Sequence, residues 1–225
     1  MVTEQLIEVH GRIDQAAARA GRDPAKITLV VVSKGRSPAE IIEAYGTGHR
    51  HFGENRASEL AEKAPQLPKD IVWHFVGSLQ TRQAKIARPH TALLHSLDRR
   101  RLVNTWAVGG AAPPVLLQVN VAGEQQKHGT STEETEELLE IAQEAGLTCR
   151  GLMTIPPLTQ EPEDSRRWFA ELRNVRDNLR TKFPALVDLS MGMTDDFEIA
   201  IEEGATIIRV GRAIFGELGA PAMSD

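Results

Sequence analysis

Eight short apolar runs that alternate with polar, helix-like stretches constrain the fold of this chain more than any other feature. The runs are rich in Val, Ile and Leu, which is typical of strands buried on both faces. Most of the stretches between them are long enough for the helical crossover that parallel strands require. The predicted strands are residues 27–33, 49–53, 71–77, 91–96, 114–121, 147–155, 186–190 and 206–211.

Eight strand–helix units predict an α/β protein, a closed (β/α)8 barrel of the TIM type. An extra N-terminal helix is predicted over residues 3–20, because apolar side chains recur on one helical face and Gly21 follows. The alternative is an open, doubly wound sheet, but no G-x-G-x-x-G motif opens a helix after a strand. No linker or low-complexity tract divides the chain, so residues 1–225 are interpreted as a single domain.

Charge and cysteine content narrow the class of protein. A formal net charge of -5 argues against nucleic acid as the main partner. The single cysteine, Cys149, excludes an internal disulfide framework and fits a reducing compartment. The N-terminal segment does not have the pattern of a signal peptide, and no apolar run approaches the ~20 residues of a membrane span. We therefore expect a soluble, cytoplasmic protein with no membrane partner.

Lys34 directly follows the first predicted strand and is the strongest candidate for a reactive side chain. Active sites of (β/α)8 barrels lie at the C-terminal ends of the strands, and Lys34 alone of the seven lysines directly closes a long apolar strand. Desolvation at a barrel mouth would favour the free amine, which attacks carbonyl groups to form Schiff bases. The alternative is a lysine that extends into solvent at the rim.

The ends of strands seven and eight carry the features of a phosphate site. Gly192 and Gly211 permit close approach of a ligand to the backbone, and Ser190 offers a hydroxyl. Helices predicted to begin near Thr194 and Arg212 present N–H groups that favour anions, and barrels often bind phosphate in this place. A reactive lysine opposite a phosphate site predicts pyridoxal 5′-phosphate (PLP) as cofactor. The alternative is that both glycines form ordinary turns.

Arg209 lies within the eighth predicted strand, where a buried arginine needs a partner. Facing the barrel interior, it would meet the pyridine nitrogen of the cofactor and disfavour its protonation, which weakens the ring as an electron sink. The alternative partner is a carboxylate such as Asp188.

An ordered set of motifs resembles one known family, the PLP homeostasis (YggS-like, PLPBP) proteins. The matching blocks span residues 30–216 and read VVSKGRS, HFGENR, WHFVGSLQTRQAK, LLHSLDRRRL, VLLQVNVAGEQQKHG, GLMTI, LSMGMTDDFEIAIEEGAT and IIRVGRAIFG. The resemblance implies an alanine-racemase-like barrel with PLP bound as a Schiff base on Lys34. It also implies that Asn55 lies near the cofactor ring, that Ser190 contacts phosphate and that Arg209 lies beside the pyridine nitrogen.

The resemblance also implies that Gly211 and the next residue offer backbone N–H groups to phosphate. That residue is Arg212, where many members have Thr or Ser, so a guanidinium contact would replace a hydroxyl contact. The predicted cofactor site comprises Lys34, Asn55, His74, Ser190, Met191, Gly192, Arg209, Gly211 and Arg212.

Two functions are compatible with such a site. Racemases need a second acid/base group, which in alanine racemases is a tyrosine from a C-terminal domain for which this chain has no room. The only tyrosine, Tyr45, is predicted to lie away from the rim. His74 is the remaining candidate base, or else a buried histidine bonded to backbone or to Ser and Asn neighbours. We therefore expect a PLP carrier with little or no catalysis, and a PLP-dependent amino-acid racemase is the alternative.

The sequence also allows a third function and leads to expectations about partners, oligomeric state and a second lysine. A cofactor-free aldolase would use Lys34 directly on a sugar phosphate. The carrier would meet free PLP and, transiently, apo-enzymes. Without the C-terminal domain of the racemases, a monomer is expected. Lys127, in the segment EQQKHG, is a candidate for a second PLP site or for cofactor release, and is otherwise an ordinary loop lysine.

Overall fold

A computed structural model describes residues 1–124, 126 and 128–217 of the chain. The strands are β1 (Thr28–Val32), β2 (His51–Glu54), β3 (Val72–Phe75), β4 (Leu93–Leu97), β5 (Val115–Gln118), β6 (Cys149–Met153), β7 (Asp188–Ser190) and β8 (Ile207–Val210). The helices are α1 (Val2–Arg19), α2 (Pro38–Gly46), α3 (Ala57–Lys63), α4 (Ala84–Ala87), α5 (Arg100–Ala107), α6 (Thr135–Glu144), α7 (Arg166–Leu179), α8 (Phe197–Glu202) and α9 (Arg212–Phe215).

The strands form a closed parallel barrel in sequential order, with β1 paired to both β2 and β8. The predicted (β/α)8 class is confirmed, and the open doubly wound sheet is excluded because the sheet has no edge. Each observed strand lies within two residues of its predicted start and three of its predicted end. Every predicted span starts one or two residues too early, and five of the eight, those of β1, β3, β5, β6 and β8, also extend into the turn that follows the strand.

Two apolar clusters lie on opposite faces of the barrel wall. The larger one fills the space between strands and helices. The smaller one fills the barrel interior and consists of Val30, Val76, Leu93, Leu116, Met153 and Ile207. Polar side chains occupy the rest of the interior on the same strands, since alternate residues of a strand face the same side. The interior is therefore partly polar, and this polar part leads to the site described below.

The N-terminal helix and the first barrel helix show how local sequence sets element ends. Helix α1 buries Leu6, Val9 and Ile13, and Gly21 follows it with a φ of 62°, as a helix stop signal requires. In α2, the Ser37 hydroxyl accepts from the Glu40 N–H while the Glu40 carboxylate accepts from the Ser37 N–H, which forms a capping box. None of the described helices combines the length and apolarity needed to cross a bilayer.

Candidate functional site

A cavity of about 350 Å³ opens at the C-terminal ends of the strands, where barrel active sites lie. It is lined by Val32, Lys34, Arg36, Asn55, Val76, Ile155, Leu158, Met193, Thr194, Asp195, Arg209, Gly211, Arg212 and Glu217. The loop after β1 faces the loops after β7 and β8 across this space. Five of the nine predicted site residues line it, namely Lys34, Asn55, Arg209, Gly211 and Arg212.

Lys34 follows β1 at the rim of the cavity, as its position after an apolar strand predicts. Its side chain is exposed and forms no hydrogen bond or ion pair with any other described residue. The sequence-based expectation that burial would desolvate this amine is therefore wrong for this structure. The exposed side chain lines the cavity, and no carboxylate of the described residues pairs with its amine.

The backbone on both sides of Lys34 is fixed by a buried charged cluster. Lys63, at the end of α3, donates to the Ser33 carbonyl at 2.8 Å, to Glu54 Oε1 at 2.9 Å and to Glu59 Oε1 at 2.6 Å. The Ser33 hydroxyl donates to Glu54 Oε1 at 2.7 Å, and the Gly35 N–H donates to Glu59 Oε1. We call Glu54, Glu59 and Lys63 the anchor cluster. It holds the peptide groups that flank Lys34 while leaving the Lys34 amine unbonded.

The anchor cluster carries two carboxylates and one ammonium in a largely dry place. The side chains of Glu54 and Lys63 are 0% and 8% exposed. Burial raises the pKa of the Glu54 carboxyl, and the hydrogen bond from Lys63 opposes this rise. Removing the ammonium would leave both carboxylates without their shared cation.

Asn55 directly follows β2 and presents an unsatisfied acceptor within the cavity wall. Its Oδ1 atom is buried and has no hydrogen-bond partner. Gly77 makes this position possible, because a Cβ there would lie 2.3 Å from the Asn55 carbonyl oxygen. A buried amide oxygen without a donor is costly, so a bound molecule with an N–H or O–H group would satisfy it.

The opposite wall holds a hydroxyl and a paired guanidinium. Thr194 lines the cavity just after β7. Arg212, the first residue of α9, forms ion pairs with Asp195 and with Glu217, the latter at 3.5 Å. Gly211 lines the cavity with its backbone, and a Cβ there would lie 3.0 Å from the Val32 carbonyl oxygen. An anion entering here would compete with two carboxylates for Arg212.

Arg209 forms the floor of the cavity and is only 4% exposed. Its guanidinium donates to Ser190 Oγ at 2.7 Å and to the Thr154 carbonyl at 2.9 Å. The alternative pairing with Asp188 is wrong, because the Asp188 carboxylate pairs with Arg150 at 2.8 Å. Within the described residues no ion pair holds Arg209, and burial lowers its pKa to about 10.

The other four predicted site residues do not line the cavity. Ser190 is fully buried beneath it, bonded to Arg209 and to His95. Met191 belongs to the apolar cluster outside the barrel wall. Gly192 has a φ of 89° and packs against α8, where a Cβ would lie 2.5 Å from the Ala200 Cβ atom.

His74, the last of the four, lies in the barrel interior and bonds to other histidines. This differs from the backbone, Ser or Asn partners that the alternative interpretation named. Tyr45 hydrogen-bonds Asp70 on the barrel exterior, away from the cavity lining. Lys127 lies outside the described residues.

Comparisons with known proteins agree with this geometry. Residues 6–219 match the family model described as alanine racemase, N-terminal domain. A pyridoxal phosphate homeostasis protein of Aquifex aeolicus is 43% identical over 221 residues, which cover 95% of this chain and 97% of that protein. This chain belongs to the pyridoxal phosphate homeostasis protein family.

Solved structures of similar proteins share the barrel. A protein of unknown function from Bifidobacterium adolescentis has a TM-score of 0.90 at 32% identity, covering 95% of this chain and 94% of its own. The PipY protein of Synechococcus elongatus, solved with PLP bound, has a TM-score of 0.77 at 34% identity, covering 91% and 100%. The predicted resemblance to the PLP homeostasis proteins is thus confirmed.

Several residues that shape this family member's site were missed by sequence reasoning. The sequence indicates Thr194 only as part of a helix start, whereas the structure places it in the cavity lining. For Lys63 and Glu59 the sequence gives only their i, i+4 spacing on one helix face, which hints at a pair but not at a role. His51, His74 and His95 lie in three successive apolar runs, which is a signal that could have linked them.

Proposed function

We propose that this protein binds PLP, holds it as a Schiff base on Lys34, and keeps it available for other proteins with little or no catalysis of its own. One observation carries the proposal. An unpaired lysine amine at the end of β1 faces a wall that offers a hydroxyl from Thr194 and a guanidinium from Arg212. An aldehyde that also carries a phosphate is the ligand that suits this pair of walls. The PLP bound in the similar PipY protein supports the same ligand.

The unsatisfied groups of the cavity fit PLP. Asn55 Oδ1 is a buried acceptor without a donor, and PLP brings polar ring substituents. Lys34 has no partner among the described residues, so no hydrogen bond or ion pair with them is lost when its amine reacts. When bound, PLP supplies an electrophilic aldehyde carbon and a ring that can accept electrons.

Each residue of the chain has a distinct task in this proposal. Lys34 supplies the nucleophilic nitrogen once it has lost its proton to solvent, to which it is open. The anchor cluster orients the Lys34 backbone. Thr194 and Arg212 hold the phosphate, and Arg212 leaves Asp195 and Glu217 to do so.

Arg209 accounts for the expected lack of catalysis. Its positive charge forms the cavity floor; the buried Asp196 carboxylate interacts with this charge from a distance, but its direct partners are the uncharged Ser190 hydroxyl and Thr154 carbonyl. Beside the pyridine nitrogen, that charge disfavours protonation of the ring and limits its capacity to stabilise a carbanion. Delivery to apo-enzymes and a monomeric state belong to the same proposal. Racemisation would need a second acid/base group, and Tyr45 is bonded to Asp70 elsewhere.

Borohydride reduction followed by peptide mass spectrometry tests the proposal. We expect a reduced pyridoxyl group on Lys34 in the wild type and none in Lys34→Met. Lys26→Met is the matched control, because Lys26 is an exposed lysine just before the opposite end of β1. A modification on another lysine would contradict the proposal. No visible Schiff-base band on adding PLP would also contradict it and would favour the aldolase alternative.

Solvent deuterium exchange at the α-carbon of L- and D-alanine separates a carrier from a racemase. We expect no exchange above the rate of free PLP. Rapid exchange of both enantiomers would overturn the carrier proposal while leaving PLP binding intact.

A further inference from the structure

Three histidines from neighbouring strands form a continuous hydrogen-bonded chain inside the barrel. His51 Nδ1 lies 3.0 Å from His74 Nε2, and His74 Nδ1 lies 2.8 Å from His95 Nε2. His95 Nδ1 lies 2.8 Å from Ser190 Oγ, which accepts from Arg209 at 2.7 Å. We call His51, His74 and His95 the histidine chain. None of its members lines the cavity, so the proposed PLP site leaves it without a role.

Because of the strand register, successive members of the histidine chain lie closer to the C-terminal end of the barrel. His51 lies opposite Val72, two residues before His74. His74 in turn lies opposite Leu93, two residues before His95. Each step therefore rises by one interior position from β2 to β4. The lower end, at half-buried His51, lies at the start of its strand, whereas the upper end reaches Ser190 and Arg209 beneath the cavity.

The joints of this chain restrict where each proton lies. A neutral imidazole has one N–H donor and one bare nitrogen acceptor. Each nitrogen–nitrogen joint needs one hydrogen, so the tautomer of one ring dictates that of the next. All three histidines must then carry their proton on Nε2, or all three must carry it on Nδ1.

Ser190 decides between these two states. Its hydroxyl is fully buried, accepts from Arg209, and has only His95 Nδ1 as an acceptor among the described residues. With the protons on Nε2, Ser190 donates to His95, and each joint from His51 to Ser190 has its one hydrogen. With the protons on Nδ1, the Ser190 hydrogen would be buried without an acceptor, which is costly.

We propose that the histidine chain is locked in the neutral Nε2–H state and that it positions Arg209 through Ser190. In this state the bare Nδ1 atom of each ring already accepts a hydrogen bond, so no ring can take a second proton without breaking a joint. His51, His74, His95 and Ser190 are thus positioning residues. The effect on the cofactor rests on the proposed function, whereas the tautomeric state does not.

Burial and the charges around the histidine chain favour neutral imidazole rings. Burial lowers the pKa of His74 to about 3 and that of His95 well below its ordinary value. Arg150 and Arg209 add positive charge near His95. The Asp188 carboxylate lies nearby, but it pairs with Arg150 at 2.8 Å and accepts from Thr206. His49, whose Nε2 bonds the His51 carbonyl, flanks the lower end.

Nitrogen-15 NMR of the uniformly labelled full chain reads these tautomers directly. In long-range proton–nitrogen spectra we expect protonated Nε2 and bare Nδ1 for all three histidines at neutral pH. The same pattern should persist at about pH 5, below the ordinary histidine pKa of ~6.5. A proton on Nδ1 of any one of the three, or a doubly protonated ring among them at about pH 5, would overturn the proposal.

Ser190→Ala tests whether the joints are coupled. Without the hydroxyl neither state is favoured, so we expect all three histidines, including the distant His51, to become mixtures of the two tautomers together. Thr154→Val is the matched control. It removes a buried hydroxyl that donates to the Val119 carbonyl and takes no part in the histidine chain, so it should leave the signals of the three histidines unchanged. A change confined to His95 would show that the rings are not coupled and would overturn the proposal.

PLP titration reads the positioning of Arg209. Because a hydrogen bond to a charged group is lost, we expect Ser190→Ala to weaken PLP binding about tenfold. Unchanged affinity in this variant would overturn the positioning role. If the wild type itself binds no PLP, the proposed function fails, and the NMR experiment alone decides the state of the chain.

Discussion

Two of the cations that line the cavity, Lys34 and Arg209, are supported in opposite ways. Lys34 is exposed, its amine has no partner among the described residues, and a charged cluster fixes only the backbone beside it. Arg209 is buried, its guanidinium is held directly, and its partners are the uncharged Ser190 hydroxyl and Thr154 carbonyl.

The difference fits the roles proposed for the two groups. An amine that is to react must keep its nitrogen free, so the fold can orient it only through the main chain. A guanidinium that must not react can be held by its own donors. Neutral acceptors leave its charge directed at the cavity, whereas a carboxylate would cancel it.

The largest effect is expected from breaking the charged support. Lys63→Met should destabilise the protein by about 3–5 kcal/mol, because two carboxylates of the anchor cluster lose their shared cation in a buried place. Urea unfolding followed by circular dichroism measures this. Lys182→Met is the matched control, since Lys182 pairs with Glu136 and Glu140 on the exposed surface and should cost below about 1 kcal/mol. Equal losses of unfolding free energy in Lys63→Met and Lys182→Met would show that the anchor cluster contributes no more than an exposed ion pair.

The second largest effect is expected from acid, which should lower the free energy of unfolding through the buried, uncharged histidines. The folded-state pKa of His49 is lowered to about 4 and that of His74 to about 3, both mainly by burial. The unfolded chain therefore binds more protons below its ordinary histidine pKa of ~6.5, and the free energy of unfolding falls as pH drops from there towards about 4.

For one such histidine the loss is on the order of 3 kcal/mol over that pH range. Denaturant titrations at a series of pH values measure it. His49→Gln should flatten the dependence, whereas His128→Gln, which removes an exposed imidazole, should not. A stability that stays constant from pH ~6.5 to ~4 would show that the interior histidines protonate freely.

Ser190→Ala should cost less than Lys63→Met, about 1–2 kcal/mol, because it removes two hydrogen bonds without leaving an opposite charge unpaired. The same urea experiment gives both values. A loss as large as that of Lys63→Met would show that the neutral support carries as much energy as the charged one.

The smallest effect is expected at the exposed ion pair between Arg212 and Asp195, beside the proposed phosphate site. Asp195→Asn frees Arg212 from one of its two carboxylates, and PLP should bind about twofold more tightly because an exposed ion pair is worth little. Fluorescence titration with PLP measures the change. Weaker binding would indicate that Asp195 holds Arg212 in place for the anion.

The sequence was sufficient for the barrel and for the position of Lys34 at its rim because both depend on local patterns. Apolar runs define strands, and residues at strand ends meet at one rim. The supports of Lys34 and Arg209 depend instead on contacts between distant segments. Ser190 meets His95 across 95 residues of chain, and the interior register that joins the histidines is set by strand stagger, which a single sequence does not display.

The expectation of a desolvated Lys34 failed for a related reason. An apolar strand predicts that its own residues are buried, but the residue after its last pairing already belongs to the loop. Burial there depends on what covers the rim. In this structure the rim next to Lys34 stays open.

Arg36, in the loop after β1, donates to the carbonyl oxygen of Gly216, just beyond α9. This bond brings the last described residues to the mouth of the cavity, whose wall includes Glu217. A fluorescent label attached at residue 217, for example through Glu217→Cys, would therefore lie at the entrance of the cavity and would report on molecules that enter it. The same label at the start of α1, on the outside of the barrel, is the matched reference.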